Sequence, residues 1–313
     1  MHITVLLHEA VDALEIKLNG TYVDATFGYG GHSRQILKRL GRNGRLIAFD
    51  RDPIAVMKGR DIEDVRFCIV HSKFSQIQRI LQKMNVNQVD GILLDLGVSS
   101  TQLEEASRGF SFRSDGPLDM RMDTSTGQTA TEWLASVPEK KLGQVIKEYS
   151  EERFAKNIAR AVVAARMQQP IVTTLQLSTI VATAVRSREP NQNPATRTFQ
   201  AIRIYLNQEL EELSSTLPQC LELLNLGGRL VTISFHSLED RIVKHFMRAA
   251  SNPDTLPKGV PLRAKEVRHL SCQKLQLMGK AIRPKTGEIV SNARARSAVM
   301  RVAERIDLNN CGA

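Results

Sequence analysis

The amino-acid sequence predicts an α/β fold: a doubly wound domain, residues 1–103 plus 209–313, interrupted by a helical insertion, residues 104–208. Three observations predict it. Short apolar runs alternate with helical patterns through the first hundred residues, and strands apolar on both faces belong to a parallel sheet covered by helices. From about Thr101 to Asn207 no such run occurs. After Gly227-Gly228 the strand pattern returns.

Tyr22–Phe27 reads as the first strand, Gly28-Tyr29-Gly30-Gly31 as a tight turn, and His32–Leu40 as a helix with Ile36, Leu37 and Leu40 on one face. Gly41-Arg42-Asn43-Gly44 is a turn before the second strand, Arg45–Asp50. Val65–Val70 is the third strand, and Val89–Leu96 the fourth, almost wholly apolar between its acids. In the insertion, Thr131-Glu132 opens a helix with a capping-box-like start. Over 151–166, Phe154, Ile158, Ala161, Val162 and Ala165 form an apolar stripe, while Arg153, Lys156 and Arg160 share another face. Leu175–Val185 is helical, and Pro190 and Pro194 break the chain before a helix beginning near Thr198. Gly227–Phe235 supplies a turn and a fifth strand, Arg296–Val302 alternates like a late strand, and Ser251 to Pro261 has the composition of a surface loop.

Composition narrows the function classes. With 42% hydrophobic and 24% charged residues among 313, the chain can bury a sizeable core. No apolar run approaches the ~20 residues that span a bilayer. Met1-His2-Ile3-Thr4-Val5-Leu6-Leu7-His8-Glu9 lacks the basic start of a signal peptide. Cys68, Cys220, Cys272 and Cys311 lie far apart without a C-x-x-C pair, which argues against a Cys-based metal site and suits a reducing cytoplasm. Residues 241–313 carry 15 Lys/Arg against 5 Asp/Glu, whereas 1–240 carry 28 of each, so the whole net charge of +10 sits in the last quarter. A local basic excess favours a polyanion such as nucleic acid, set against the plainer reading of a solvated basic surface.

Three features converge at the carboxyl ends of the strands, where open α/β sheets bind ligands. The glycine turn lets backbone approach a ligand, although Ser33 leaves the dinucleotide fingerprint incomplete. Asp50 ends the second strand, where a carboxylate accepts both hydroxyls of a ribose; its structural alternative is a cap before Pro53. Asp95 ends the fourth strand, an expensive place for an acid unless it meets a ligand or partner. These features suit NAD and S-adenosylmethionine about equally. Asp24 upstream of the glycines, the basic skew and the late strand favour the second, and no residue set for hydride transfer is evident.

Phe27-Gly28-Tyr29-Gly30-Gly31-His32-Ser33 and Asp95-Leu96-Gly97-Val98-Ser99-Ser100-Thr101-Gln102-Leu103 resemble the bacterial small-subunit ribosomal RNA (cytosine-N4)-methyltransferase H family, also called MraW. So do Arg108–Phe112, Asp115–Asp123, Asn193–Gln200 and Ser234–Arg241, in order along nearly the whole chain. Tyr29 and Ala293 depart from the family pattern without touching a chemical position. The resemblance implies a Rossmann-like S-adenosylmethionine-dependent methyltransferase domain with an inserted helical recognition domain. It implies a cytidine in the decoding region of 16S rRNA as acceptor, as free RNA or within the small ribosomal subunit, a cytoplasmic location and no membrane; oligomeric state stays open, a homodimer included. Carried over by position, Gly30, Gly31, His32, Asp50, Phe74, Asp95 and Gln102 line the donor pocket. Unaided, His32 reads as an N-terminal helix residue and Phe74 as core.

The exocyclic amine of cytosine is conjugated with its ring and poorly nucleophilic, so alignment and acceptors for its hydrogens must carry most of the rate. Asp95, or nearby backbone carbonyls, is the expected acceptor unless Asp95 serves the donor instead, and His236 is the second catalytic candidate. Ser234 and Phe235 are expected to hold a flipped-out base, and Trp133 to stack on it, with core packing its plain alternative. The zinc signature of deaminases is absent, and no metal is expected. Two other classes stay open: a nicotinamide oxidoreductase and a catalytically silent RNA-binding assembly factor.

Overall fold

The computed structural model describes residues 3–185, 193–251 and 273–306. The chain divides into two compact units, Met1–Gly97 with Leu210–Ala313, and Val98–Glu209. Along the chain the first unit opens with α1 (Leu7–Ala13), β1 (Thr21–Asp24), α2 (Gly31–Arg39), β2 (Arg45–Asp50), α3 (Pro53–Arg60), β3 (Phe67–His71), α4 (Ile77–Lys83) and β4 (Val89–Asp95). The second contains α5 (Ser100–Glu104), α6 (Ala130–Ser136), α7 (Glu139–Ser150), α8 (Ala155–Arg166), α9 (Thr174–Ala184) and α10 (Ala195–Asn207). The first then resumes through α11 (Glu209–Leu223), β5 (Leu224–Ser234), α12 (Ser237–Ser251), β6 (Leu275–Leu277), α13 (Thr286–Ser291) and β7 (Val299–Arg305).

The seven strands form one sheet in the order β3-β2-β1-β4-β5-β7-β6. β1 to β5 pair in parallel, and β7 joins antiparallel to β5 and β6. This is the doubly wound, Rossmann-like arrangement expected from the buried apolar runs. Leu46 to Phe49 and Ile92 to Leu94 are fully buried because helices cover both faces of the sheet. β1 has β2 on one side and β4 on the other, so the chain reverses its direction of travel across the sheet there. That switch point opens a crevice at the strand ends, the general ligand position in such sheets.

In the second unit Leu142, Ile146, Ile158, Val162, Leu177 and Ile202 make a separate core at helical spacing. Capping boxes start three of its helices, at Ser99/Gln102, Thr129/Glu132 and Thr173/Gln176. The box before Trp133 therefore begins two residues earlier than Thr131, because Glu132 reaches back to the Thr129 amide.

Several boundaries differ from the sequence reading: the first strand ends at Asp24 rather than Phe27, the third spans Phe67–His71, and the helix expected near Thr198 starts at Ala195. The helical unit begins at Val98 rather than residue 104, since Val98 and Leu103 pack on its core. Gly97, the last residue of the first segment of the sheet unit, has φ +90°, a conformation that favours glycine. β7 begins at Val299, because Ala293–Ser297 forms a 3-10 turn with Ala295 buried. β5 starts at Leu224, before its glycines, with Gly227 at φ +71° in an irregular stretch. Pro190, Asn252 to Pro261, Cys272 and Cys311 lie outside the described residues.

Candidate functional site

The glycine turn between β1 and α2 is built for close backbone approach. Gly30 has φ +73° and caps α2, and a Cβ there would lie 2.6 Å from the Phe27 ring. A side chain on Gly31 would run into Thr4 Oγ1. Only glycine satisfies both positions.

Asp50, at the end of β2, braces this turn. The Gly28 amide donates to its Oδ2 at 2.7 Å, and the Asp52 amide to its Oδ1 at 2.8 Å. Asp52 in turn caps α3 by accepting from the Ile54 amide, so the cap before Pro53 is Asp52 and not Asp50. Burial pushes the Asp50 carboxyl up to about 6, against those two hydrogen bonds. Asp24, at the end of β1, is fully buried and accepts from Ser33 Oγ at 2.6 Å and the Thr26 amide at 3.2 Å; burial likewise raises it to about 6. Asp24 is thus a support beneath the turn.

Asp95 ends β4 beside them, its amide donating to Thr26 Oγ1 at 2.6 Å. Its carboxyl is held well above the usual range, first by burial and then by the negative charges of Asp24 and Glu239. His32 Nδ1 lies 3.6 Å from Asp95 Oδ2, and the imidazole is 4% exposed. Burial lowers His32 to about 4, so the ring is neutral near pH 7. Asp95 Oδ1 and His32 Nε2 are both buried and make no hydrogen bond within the protein. Orphaned buried polar atoms are costly, and two of them at the glycine turn suit a polar ligand.

Phe74 follows β3 in a short 3-10 turn, half-buried against the sheet core. Gln102 lies in the helical unit, where its Oε1 accepts from the Ser99 amide at 2.9 Å in the capping box of α5. Phe235 and His236 form the turn between β5 and α12, and Phe235 is partly buried.

Two substrate-side expectations are corrected. Trp133 is 7% exposed and packs on Tyr205 with ring centroids 4.9 Å apart, so it is core of the helical unit. Its indole is committed to covering apolar surface and is not presented for stacking on a base. Ser234 is 1% exposed and still inside β5, opposite Val299, so its hydroxyl is enclosed in the sheet layer.

Sequence reasoning missed two features. Glu239 in α12 is 2% exposed and accepts from the Phe235 amide at 2.9 Å. The H-x-x-E spacing of His236 and Glu239 at a helix start was the available signal. The N-terminal segment also touches the turn: Thr4 fills the space beside Gly31, and the Val5 carbonyl meets His32. Glu288 of α13 holds that segment by accepting from the Leu6 amide at 2.8 Å, a contact with no local signature.

A family model described as the MraW methylase family matches residues 1–306. The chain belongs to this family. A ribosomal RNA small subunit methyltransferase H from Nitrosospira multiformis is 68% identical over 308 residues, covering 98% of each chain. Its counterpart from Nitrosomonas europaea is 64% identical over 310 residues, again covering 98% of each. The MraW-family chain is accordingly a methyltransferase whose methyl donor is S-adenosylmethionine. A positively charged donor with ribose hydroxyls fits the residues present: acidic groups at Asp50 and Asp95, orphaned polar atoms, and glycines where backbone must come close. No helix among the described residues is long and apolar enough to cross a membrane.

Proposed function

We propose that this methyltransferase modifies the exocyclic N4 of one cytidine in the decoding region of 16S rRNA, within the small ribosomal subunit in the cytoplasm. The observation that carries the reading is Asp95 Oδ1, a buried carboxylate oxygen without a protein partner at the end of β4, in a chain 68% identical to a ribosomal RNA small subunit methyltransferase H. On the donor side, Asp50 takes the ribose hydroxyls, Gly30 and Gly31 admit the ligand to the backbone, neutral His32 fixes one wall, and Phe74 packs on the adenine face. When bound, S-adenosylmethionine supplies an electrophilic methyl group on a positive sulfur. Asp95 Oδ1 accepts an amine hydrogen, which orients the nitrogen lone pair, and takes the proton as that nitrogen gains positive charge. His236, on the neighbouring strand end, belongs to the acceptor side.

A ring-carbon methylation would instead need a cysteine nucleophile. Cys220 is fully buried in α11 with its thiol pushed up to about 12, and Cys68 lies within β3. Digesting the methylated rRNA to nucleosides and separating them by chromatography should therefore yield N4-methylcytidine. Cys68→Ala and Cys220→Ala should each keep wild-type product identity. Finding 5-methylcytidine, or a loss of activity in a folded cysteine variant, overturns the reading.

The basic last quarter supports an RNA-facing surface. Arg294 and Arg296 are both exposed on the 3-10 turn before β7. Replacing both with alanine should weaken RNA association and reduce the slope of log affinity against log salt by about 2, with donor affinity unchanged. An unchanged slope would make them structural.

A further inference from the structure

β5 ends at Ser234, and the chain turns through Phe235 and His236 into α12. Glu239, buried on the first turn of that helix, holds the turn from several directions. Its Oε2 accepts from the Phe235 amide at 2.9 Å and from the His236 amide at 3.4 Å. The Glu239 amide donates to His236 Nδ1 at 3.4 Å, which makes Nδ1 an acceptor and puts the proton of the neutral ring on Nε2. That Nε2 lies 3.2 Å from Glu239 Oε1, close to the carboxylate but without a hydrogen bond to it. Toward the neighbouring strand, a Cβ on Gly97 would lie 4.0 Å from Glu239 Oε1 and 3.8 Å from the Phe235 ring. The Glu239 charge is also among the causes that raise Asp95. One buried carboxylate therefore touches the turn after β5 and acts electrostatically on the end of β4.

The plain alternative is a helix cap, since an acid on the first turn of a helix satisfies free amides and suits the helix dipole. A cap alone needs neither the imidazole nor burial beside Asp95. We propose that Glu239 is a positioning residue of the methyl-transfer reaction, fixing the turn after β5 and the tautomer of His236 on the side facing Asp95. The inference rests on the acceptor-side reading above.

The test uses the full chain with 30S particles lacking the modification, and S-adenosylhomocysteine as the binding probe. Glu239→Gln keeps an acceptor oxygen but removes the charge. Its turnover should fall roughly 10- to 100-fold, the range of a lost charge-assisted hydrogen bond. S-adenosylhomocysteine affinity and melting temperature should stay near wild type. The groups facing Asp95 are Asp24 from β1, His32 from α2 and Glu239 from α12. Removing the last of these charges makes Asp95 easier to ionise, so the acid limb of the rate profile should move to lower pH. A cap that merely stabilises the helix would not move that limb.

Two readouts are independent of turnover. Nitrogen-15 histidine spectra, with His236 identified by the signal missing in His236→Gln, should show Nε2–H in the wild type and a tautomer mixture in Glu239→Ala, where the residue-239 amide remains but the turn that aims it at Nδ1 is released. Hydrogen exchange of the Phe235 amide should accelerate at least about tenfold in Glu239→Ala. Wild-type turnover with an unmoved acid limb in Glu239→Gln overturns the proposal. So does an Nδ1–H ring in the wild type, unchanged Phe235 exchange, or turnover lost only in proportion to stability. A wild-type enzyme that leaves the 30S cytidine N4 untouched would instead sink the acceptor assignment, while the spectra and exchange still decide the role of Glu239 in the turn.

Discussion

Replacing Asp50 with alanine should weaken S-adenosylmethionine binding by roughly 30- to 1000-fold, the effect of losing a carboxylate that accepts two hydroxyls. The carboxylate does two jobs at once. It ties the glycine turn through the Gly28 amide and orders the start of α3 through the Asp52 amide, and on the proposed reading its remaining lone pairs take the ribose hydroxyls. Asp50→Asn separates these, because one oxygen still accepts from an amide while the charge is gone; its affinity should lie between alanine and wild type. On that reading the ionised form binds, and burial raises the carboxyl to about 6. Donor affinity should therefore be full above about pH 7 and fall as the pH drops through 6. Asp24, also raised to about 6, contributes a smaller acid dependence that survives in Asp50→Asn. Calorimetry across pH 5 to 8, with thermal melts to verify folding, measures all three proteins. Near wild-type affinity in folded Asp50→Ala would remove Asp50 from the donor site.

Asp95→Asn should lower turnover by about 10²- to 10⁴-fold, the range typical of a lost general base, with a much smaller change in donor affinity. The same substitution should raise the melting temperature near neutral pH. Asp95 has its carboxyl raised by burial and by the charges of Asp24 and Glu239, so ionising it costs the folded state stability. That cost is full above the raised folded value, shrinks as the pH falls below it, and is gone below the unfolded value near 4. The gain from asparagine should accordingly be seen at pH 7 to 8 and vanish in acid. A variant that is more stable but far less active is the signature of a strained functional group. Wild-type turnover, or a melting temperature that falls at pH 8, would show that Asp95 is an ordinary structural acid.

Much of this site is written locally. The runs Arg45–Asp50 and Val89–Asp95 are apolar on both faces, and only a covered parallel strand suits such a run. Gly30 stands where the chain needs φ > 0 and Gly31 where Thr4 leaves no room for a side chain, and the acids Asp50 and Asp95 fall at strand ends, where a sequence period terminates. Those are properties of a few consecutive residues, and the fold class, the glycine turn and the strand-end acids were therefore determined by the sequence alone. The tertiary structure decided the rest. Trp133 reads equally well as a stacking platform or as core until Tyr205, far along the chain, is found against it. Val98 belongs to the helical unit because of where its side chain packs, although no composition change marks the place. Glu239 looks like any acid on a first helical turn, and its importance lies in the Phe235 amide, the His236 ring and its electrostatic effect on Asp95. Glu288 meets Leu6 across 282 residues of sequence. Periodicity and turn chemistry report the conformation of neighbouring residues, whereas burial, pKa shifts and hydrogen bonds between distant residues exist only after the sheet has brought its strand ends together.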